Sequence, residues 1–184
     1  MPTHSRPPRL DPRAPLVLDT RELGRRPGSL RTVYRTVAAP EGLGLELIGV
    51  PPGADLELQL RLESVVEGVL VSGTVRAPLA GECGRCLDPV TSNVEADLQE
   101  LFSYDGVEGD EETGRLQGDY LDLGPAVRDA VVLEVPLTPL CRDDCPGLCV
   151  SCGARLADVG VDHVHDQLDP RWAALAHHDE NQEI

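Results

Sequence analysis

Two groups of cysteines, set far apart along the chain, constrain its folding more than any other feature. Cys83 and Cys86 form a C-x-x-C. Cys141, Cys145, Cys149 and Cys152 form a second run, C-x₃-C-x₃-C-x₂-C, which closes as Cys-Val-Ser-Cys-Gly. Thiolates spaced by two residues can grip one tetrahedral Zn²⁺ from a tight turn, at Zn–S of ~2.3 Å. Gly153 suits the position after the last cysteine, because a residue just past a metal-binding C-x-x-C often needs a positive φ, which glycine adopts freely. A metal shared between the two groups would pin distant parts of the chain together.

Other uses of six thiols are weaker. Three disulfides are possible by number, but nothing points to export. The N-terminal Met1-Pro-Thr-His-Ser-Arg-Pro-Pro has no apolar core and no small-residue cleavage site, so it does not read as a signal peptide. No run approaches the ~18 apolar residues of a spanning helix. A cytoplasmic protein is expected, and there thiols serve more often as metal ligands or redox groups than as disulfides. A thioredoxin-like role for Cys83 and Cys86 would place them at the start of a helix after a strand, and the local pattern does not.

Composition narrows the function classes. Aromatic residues are only 3% of the 184, so the core is expected to be aliphatic, and the composition argues against a base-stacking RNA surface. Net charge is −16, unevenly spread. Residues 1–36 hold eight Arg against Asp11, Asp19 and Glu22, which leaves a basic lead of +5 and a body of −21. Such a body repels phosphate backbones and suits a basic protein partner. In the loop Leu23–Leu30, Arg25 and Arg26 are the best small site for an anion or RNA contact.

Strand patterns dominate the middle of the chain. A short strand is expected at Leu16–Leu18 and another at Thr32–Val37. Leu43, Leu45 and Leu47 alternate with polar or small residues, and Leu56, Leu58, Leu60 and Leu62 alternate with Glu57, Gln59, Arg61 and Glu63. Period two is the mark of a strand with one buried face. Val69, Val71, Val75, Ala77 and Leu79 would share a face of a long strand, with a bend or bulge at Gly68 and Gly73. Val90, Val94, Ala96 and Leu98 follow on another strand, so Cys83 and Cys86 fall at a hairpin tip. The acidic stretch Asp105–Glu112 reads as a solvated loop. Asp122 and Pro125 open a helix as N-cap and first-turn residue. Val127, Ala130 and Val131 keep helical spacing, and the run Val131–Val135 implies that much of the helix is buried. The expected fold class is α+β: mainly antiparallel β-sheet, as a meander or partial barrel, with one packed helix and a Cys-rich zinc knuckle. The expected organisation is a disordered basic arm over 1–14, a single β-rich zinc-stapled domain over 15–156 with the acidic loop 103–118 inside it, and an acidic tail over 157–184. His163 and His165 are assigned to that tail, as are His177 and His178; Trp172 is expected to anchor a short terminal helix.

In their order along the chain, several motifs resemble one family. They are Thr20-Arg-Glu-Leu-Gly, Ser64-Val-Val-Glu-Gly-Val-Leu-Val-Ser-Gly73, Cys83-Gly-Arg-Cys-Leu87, Glu100-Leu-Phe102, Asp122-Leu-Gly-Pro-Ala-Val-Arg-Asp-Ala130, and Leu-Cys-Arg-Asp-Asp-Cys-Pro-Gly-Leu-Cys-Val-Ser-Cys-Gly153. Together they are similar to the YceD-like family of large ribosomal RNA subunit accumulation proteins, over roughly residues 16–156. The resemblance implies a cytoplasmic, non-catalytic factor that supports 23S rRNA accumulation and large-subunit biogenesis. Its expected partner is a large-subunit ribosomal protein, the 23S rRNA precursor, or both, with no membrane and no small-molecule substrate. One structural zinc ion is expected. Cys83 and Cys86 with Cys149 and Cys152 make the neatest two-knuckle site. Cys141 and Cys145 are the alternates for the second pair, in keeping with family members that lack the last two cysteines. A site built from the four later cysteines alone is the third arrangement.

Two other function classes stay open on the residues. Two thiols beyond a quartet would suit a zinc- or thiol-based redox regulator. Catalysis has little support: there is no phosphate loop, no G-x-S-x-G and no HExxH. A Cys-rich metal site is typically closed and structural, whereas a catalytic zinc keeps an open position.

Overall fold

The computed structural model describes residues 10–104, 114, 116–160 and 162–165. Most of the basic arm, the acidic stretch Asp105–Glu112, Trp172, His177 and His178 lie outside the described residues. The chain divides into two compact units, Met1–Cys141 and Arg142–Ile184.

The first unit is built on antiparallel sheet. Strands β2 (Leu30–Ala38), β4 (Asp55–Ser64), β5 (Gly68–Glu82) and β6 (Pro89–Ser103) lie side by side in chain order, and β3 (Ile48–Gly49) extends the row beside the far end of β5. A separate two-stranded sheet pairs β1 (Val17–Asp19) with β7 (Tyr120–Asp122). Neither sheet closes on itself. β2 reaches β1 through side chains, as Arg31 and Arg35 each donate from Nη1, at 3.2 Å, to the carbonyls of Asp19 and Val17.

The alternation read from the sequence sets the inner face. Leu56, Leu58, Leu60 and Leu62 of β4 are buried, as are Val69, Val71, Val75, Ala77 and Leu79 of β5 and Val94, Ala96 and Leu98 of β6. Their partners Glu57, Gln59, Arg61, Arg76, Glu95 and Asp97 are exposed on the other face. Gly73 sits at φ +153°, and a Cβ there would lie 2.0 Å from the carbonyl oxygen of Gln59. The strand passes this point only without a side chain.

Helix α1 (Gly124–Glu134) packs on β6. Asp122, expected as the N-cap, stands one place before it: the cap position is Leu123, and the Asp122 carboxylate accepts from the Gly124 N–H at 2.8 Å. Pro125 lies in the first turn, as its fixed φ favours. The burial expected for most of this helix is too broad. Val127 and Val131, one turn apart, are buried, but Leu133 is 83% exposed. Two residues on a helix turn a side chain to nearly the opposite side, so a run of apolar residues cannot all face the sheet.

A second correction concerns Leu43, Leu45 and Leu47, which do not form a strand. The segment doubles back, with Val50 N–H donating to the Leu43 carbonyl at 2.8 Å and Leu45 N–H to that of Ile48 at 2.9 Å. Gly44 and Gly49 bridge so closely that a Cβ on Gly44 would stand 2.3 Å from Gly49 Cα. Two glycines make the turn that defeats the alternation.

Among its described residues, the second unit contains one isolated bridge, Leu148 with Arg155, and the short helix α2 (Leu156–Val159). Among the described residues, no helix is long and apolar enough to cross a membrane.

Candidate metal centre

The first C-x-x-C lies where strand alternation put it, between Glu82 and Pro89 at the tip of the β5–β6 hairpin. Two bonds shape the turn: Cys83 N–H donates to the Asp88 carbonyl at 2.8 Å, and Leu87 N–H to that of Cys83 at 2.9 Å. Leu87 takes φ +61°, a left-handed conformation that a branched side chain rarely adopts.

Helix α1 ends before Pro136 and Pro139, and the chain after it runs back to this tip. Gly84 N–H donates to the Pro139 carbonyl at 2.8 Å. Cys141 follows, with its sulfur 3.5 Å from that of Cys86. Cys83, Cys86 and Cys141 each offer a sulfur within 4.8 Å of the others. Cys83 and Cys86 are buried and Cys141 is exposed. The group is compact enough to hold a metal ion. Burial pushes the Cys83 thiol up, but the backbone N–H groups of Arg85, Cys141 and Cys86 pull it further the other way and hold it at about 6. Donors aimed at a sulfur favour the thiolate, which is the form that binds metal.

A second group forms within the second unit. Cys149, Cys152, His163 and His165 place their ligand atoms within 4.8 Å of one another. The Cys152 sulfur is 3.3 Å from His163 Nε2, and the Nε2 atoms of the two histidines are 2.8 Å apart. The backbone N–H groups of Ser151 and Cys152 lower the Cys149 thiol to about 7 against the effect of burial, with help from the Cys152 and His165 side chains. His163 and His165, assigned to the tail on sequence, belong to this group. The signal was the spacing C-x₂-C-x₁₀-H-x-H, masked by the number of thiols nearby. None of the six cysteines is joined in a disulfide.

Arg25 and Arg26 both lie in an exposed turn. Arg25 already has partners: it donates from Nη2 to the Gly118 carbonyl at 3.4 Å, and its guanidinium sits 5.0 Å from the centre of the Tyr104 ring.

A family profile described as "Large ribosomal RNA subunit accumulation protein YceD" matches residues 71–177, a stretch that takes in both cysteine groups. The chain belongs to the YceD family. It is 50% identical over 167 residues to an uncharacterized protein of Mycobacterium bovis, covering 88% of this chain and 80% of the relative. An uncharacterized protein of Mycobacterium leprae is 44% identical over the same length, with coverage of 88% and 76%. More distant is a maize protein named large ribosomal RNA subunit accumulation protein YCED homolog 1, chloroplastic. It is 25% identical over 130 residues, which are 53% of this chain and 41% of that one. No solved structure matches the chain.

Proposed function

We propose that this YceD protein is a non-catalytic factor of large ribosomal subunit biogenesis that supports accumulation of 23S rRNA in the cytoplasm. The observation that carries the reading is the family match over residues 71–177. The acidic composition points to the kind of partner. On the exposed face of the sheet, Glu57, Arg76 and Glu95 are neighbours in register across β4, β5 and β6. Arg76 is bonded to Glu95 at 2.8 Å and Arg61 to Glu63 at 3.1 Å, so the balance of charge on the face is carried by carboxylates, Glu57 and Asp97. Such a surface suits a basic protein of the large subunit. RNA contact falls to Arg26, Arg25 and the basic N-terminal arm.

The metal in this reading is one structural Zn²⁺ held by Cys83, Cys86, Cys141 and Cys145. Sulfur-rich tetrahedral sets favour zinc. Cys145 is buried, and the Cys145 N–H closes a turn onto the Arg142 carbonyl at 3.1 Å, just after Cys141. That turn makes it the natural fourth thiolate. The zinc would hold the hairpin tip and supply no step of a reaction. Pairing Cys83 and Cys86 with Cys149 and Cys152 is the competing arrangement. Zinc retained in Cys149→Ser but lost in Cys141→Ser separates the two.

The partner is tested by capture from cell lysate at moderate salt with the full chain as bait. Enrichment of basic large-subunit proteins, weakening as salt rises, is expected. Recovery of neither such proteins nor 23S precursor would sink the reading.

A further inference from the structure

We propose that Cys149, Cys152, His163 and His165 form a second, separate zinc site, and that this ion holds together the two short elements that carry them. The site has an S₂N₂ donor set, which in tetrahedral arrangement is characteristic of zinc. It does not depend on the first site, since none of its ligands is shared with Cys83, Cys86 or Cys141.

The backbone carries the first argument. Cys149 N–H donates to the Ala154 carbonyl at 2.7 Å, and Gly153 N–H to the Cys149 carbonyl at 2.8 Å. The first knuckle makes the same two bonds at the same offsets, from Cys83 to Asp88 and from Leu87 to Cys83. The residue after the second cysteine is left-handed in both: Leu87 at φ +61° and Gly153 at φ +71°. Two stretches that share only their cysteine spacing thus fold into one turn, shaped to present two sulfurs to a common point.

The histidines are brought to that point by a different element. After α2, Gly160 turns the chain at φ +87°, and His163 N–H donates to the Gly160 carbonyl at 3.3 Å. The imidazole rings then meet edge to face, with centroids 4.5 Å apart. Zn–S of ~2.3 Å and Zn–N of ~2.0–2.1 Å put the donor atoms of a tetrahedral site roughly 3.3–3.8 Å apart. The Cys152–His163 separation of 3.3 Å lies at the short end of that range, whereas the histidine nitrogens, 2.8 Å apart, are at hydrogen-bond distance and must open by roughly 0.5 Å to share an ion.

The third argument is what the unit lacks. Among its described residues, only Cys145 and Gly147 are buried. Val150, Val159 and Val164 are exposed, and no described residue of the unit belongs to the hydrophobic core cluster. A small stretch whose described residues form no core is ordinarily held by disulfides or metal, and no disulfide joins these cysteines. Metal binding in such modules is the folding free energy itself.

The test is native mass spectrometry of the full chain loaded with zinc, with single-ligand variants. The wild type should carry two Zn²⁺. Cys149→Ser, Cys152→Ser, His163→Ala and His165→Ala should each carry one. Cys86→Ser should also carry one, and Cys86→Ser with Cys149→Ser none. Because an alanine variant could lose zinc by misfolding, His163→Cys provides the control. It should keep two ions and, with Co²⁺ in place of zinc, gain thiolate-to-metal absorption. One Zn²⁺ in the wild type, or two retained in both histidine variants, would overturn the proposal. So would a single ion lost from either Cys86→Ser or Cys149→Ser. Failure of the first site alone would leave the effect of the histidine variants unchanged.

Discussion

The sulfurs of Cys86 and Cys141 lie 3.5 Å apart although 55 residues separate them in the chain. One is at the tip of the long β5–β6 hairpin and the other follows α1. Joining them closes a loop that contains β6, β7 and the helix. A metal at this junction therefore limits the freedom of much of the unfolded chain, by the same entropy that governs other cross-links. Cys141→Ser should lose the first-site zinc and lower unfolding free energy by more than about 4 kcal/mol, read from denaturant titration in the presence of zinc. With zinc chelated throughout, wild type and variant should have nearly the same midpoint. An unchanged midpoint in zinc would show that this thiol is no ligand.

Leu87 pays a conformational cost that Gly153 avoids. Left-handed backbone costs a residue with a Cβ roughly 1–2 kcal/mol, offset in part by the greater unfolded-state freedom of glycine. The Leu87 side chain is 54% exposed, so little packing is lost on removing it. Leu87→Gly should leave stability unchanged or raise it by up to about 1 kcal/mol. Leu87→Val, branched at Cβ, should lower it by about 1–2 kcal/mol. Thermal melts of the zinc-loaded variants give the ordering, and a Val variant as stable as the Gly variant would contradict the strain.

Packing on the sheet should separate two leucines at either end of the helix. Leu123 is fully buried at the cap of α1, whereas Leu133 points to solvent. Leu123→Ala should cost about 2–5 kcal/mol and Leu133→Ala no more than about 0.5 kcal/mol. Equal losses in denaturant titration would mean that α1 presents a different face to β6.

Strand pairing was legible wherever a period of two ran long enough. The alternation from Leu56 to Glu63, and the matching faces of β5 and β6, located the hairpin and hence the place of Cys83 and Cys86. The same rule misread Leu43 to Leu47, because the close approach of Gly44 and Gly49 turns the chain within the pattern. Pairing of β1 with β7 left no trace in the sequence: each strand has three residues, and about a hundred residues separate Leu18 from Leu121. In the metal groups, local spacing revealed each C-x-x-C. The approach of Cys141 to Cys86 depends on how α1 packs, which no local pattern encodes. His163 and His165 were present as a spacing signal but were outnumbered by cysteines.

The acidic face of the sheet makes a prediction about binding rates. Glu57→Gln with Asp97→Asn removes two exposed carboxylates while leaving the Arg76–Glu95 pair in place. Exposed substitutions of this kind should change stability by no more than about 0.5 kcal/mol. Association with a basic large-subunit protein should slow by severalfold at low salt, and the difference should shrink as salt rises. Surface plasmon resonance across a salt series measures both. A salt-independent association rate would exclude this face as the docking surface.

The ratio of 23S to 16S rRNA in cells depleted of the protein tests the account most directly. Depletion should lower the ratio, and expression of the wild-type chain should restore it. Cys86→Ser with Cys141→Ser, expressed to the same level, should fail to do so. A ratio that stays constant through depletion would contradict the proposed role in large-subunit biogenesis, and full rescue by the double variant would contradict the need for the metal-held hairpin.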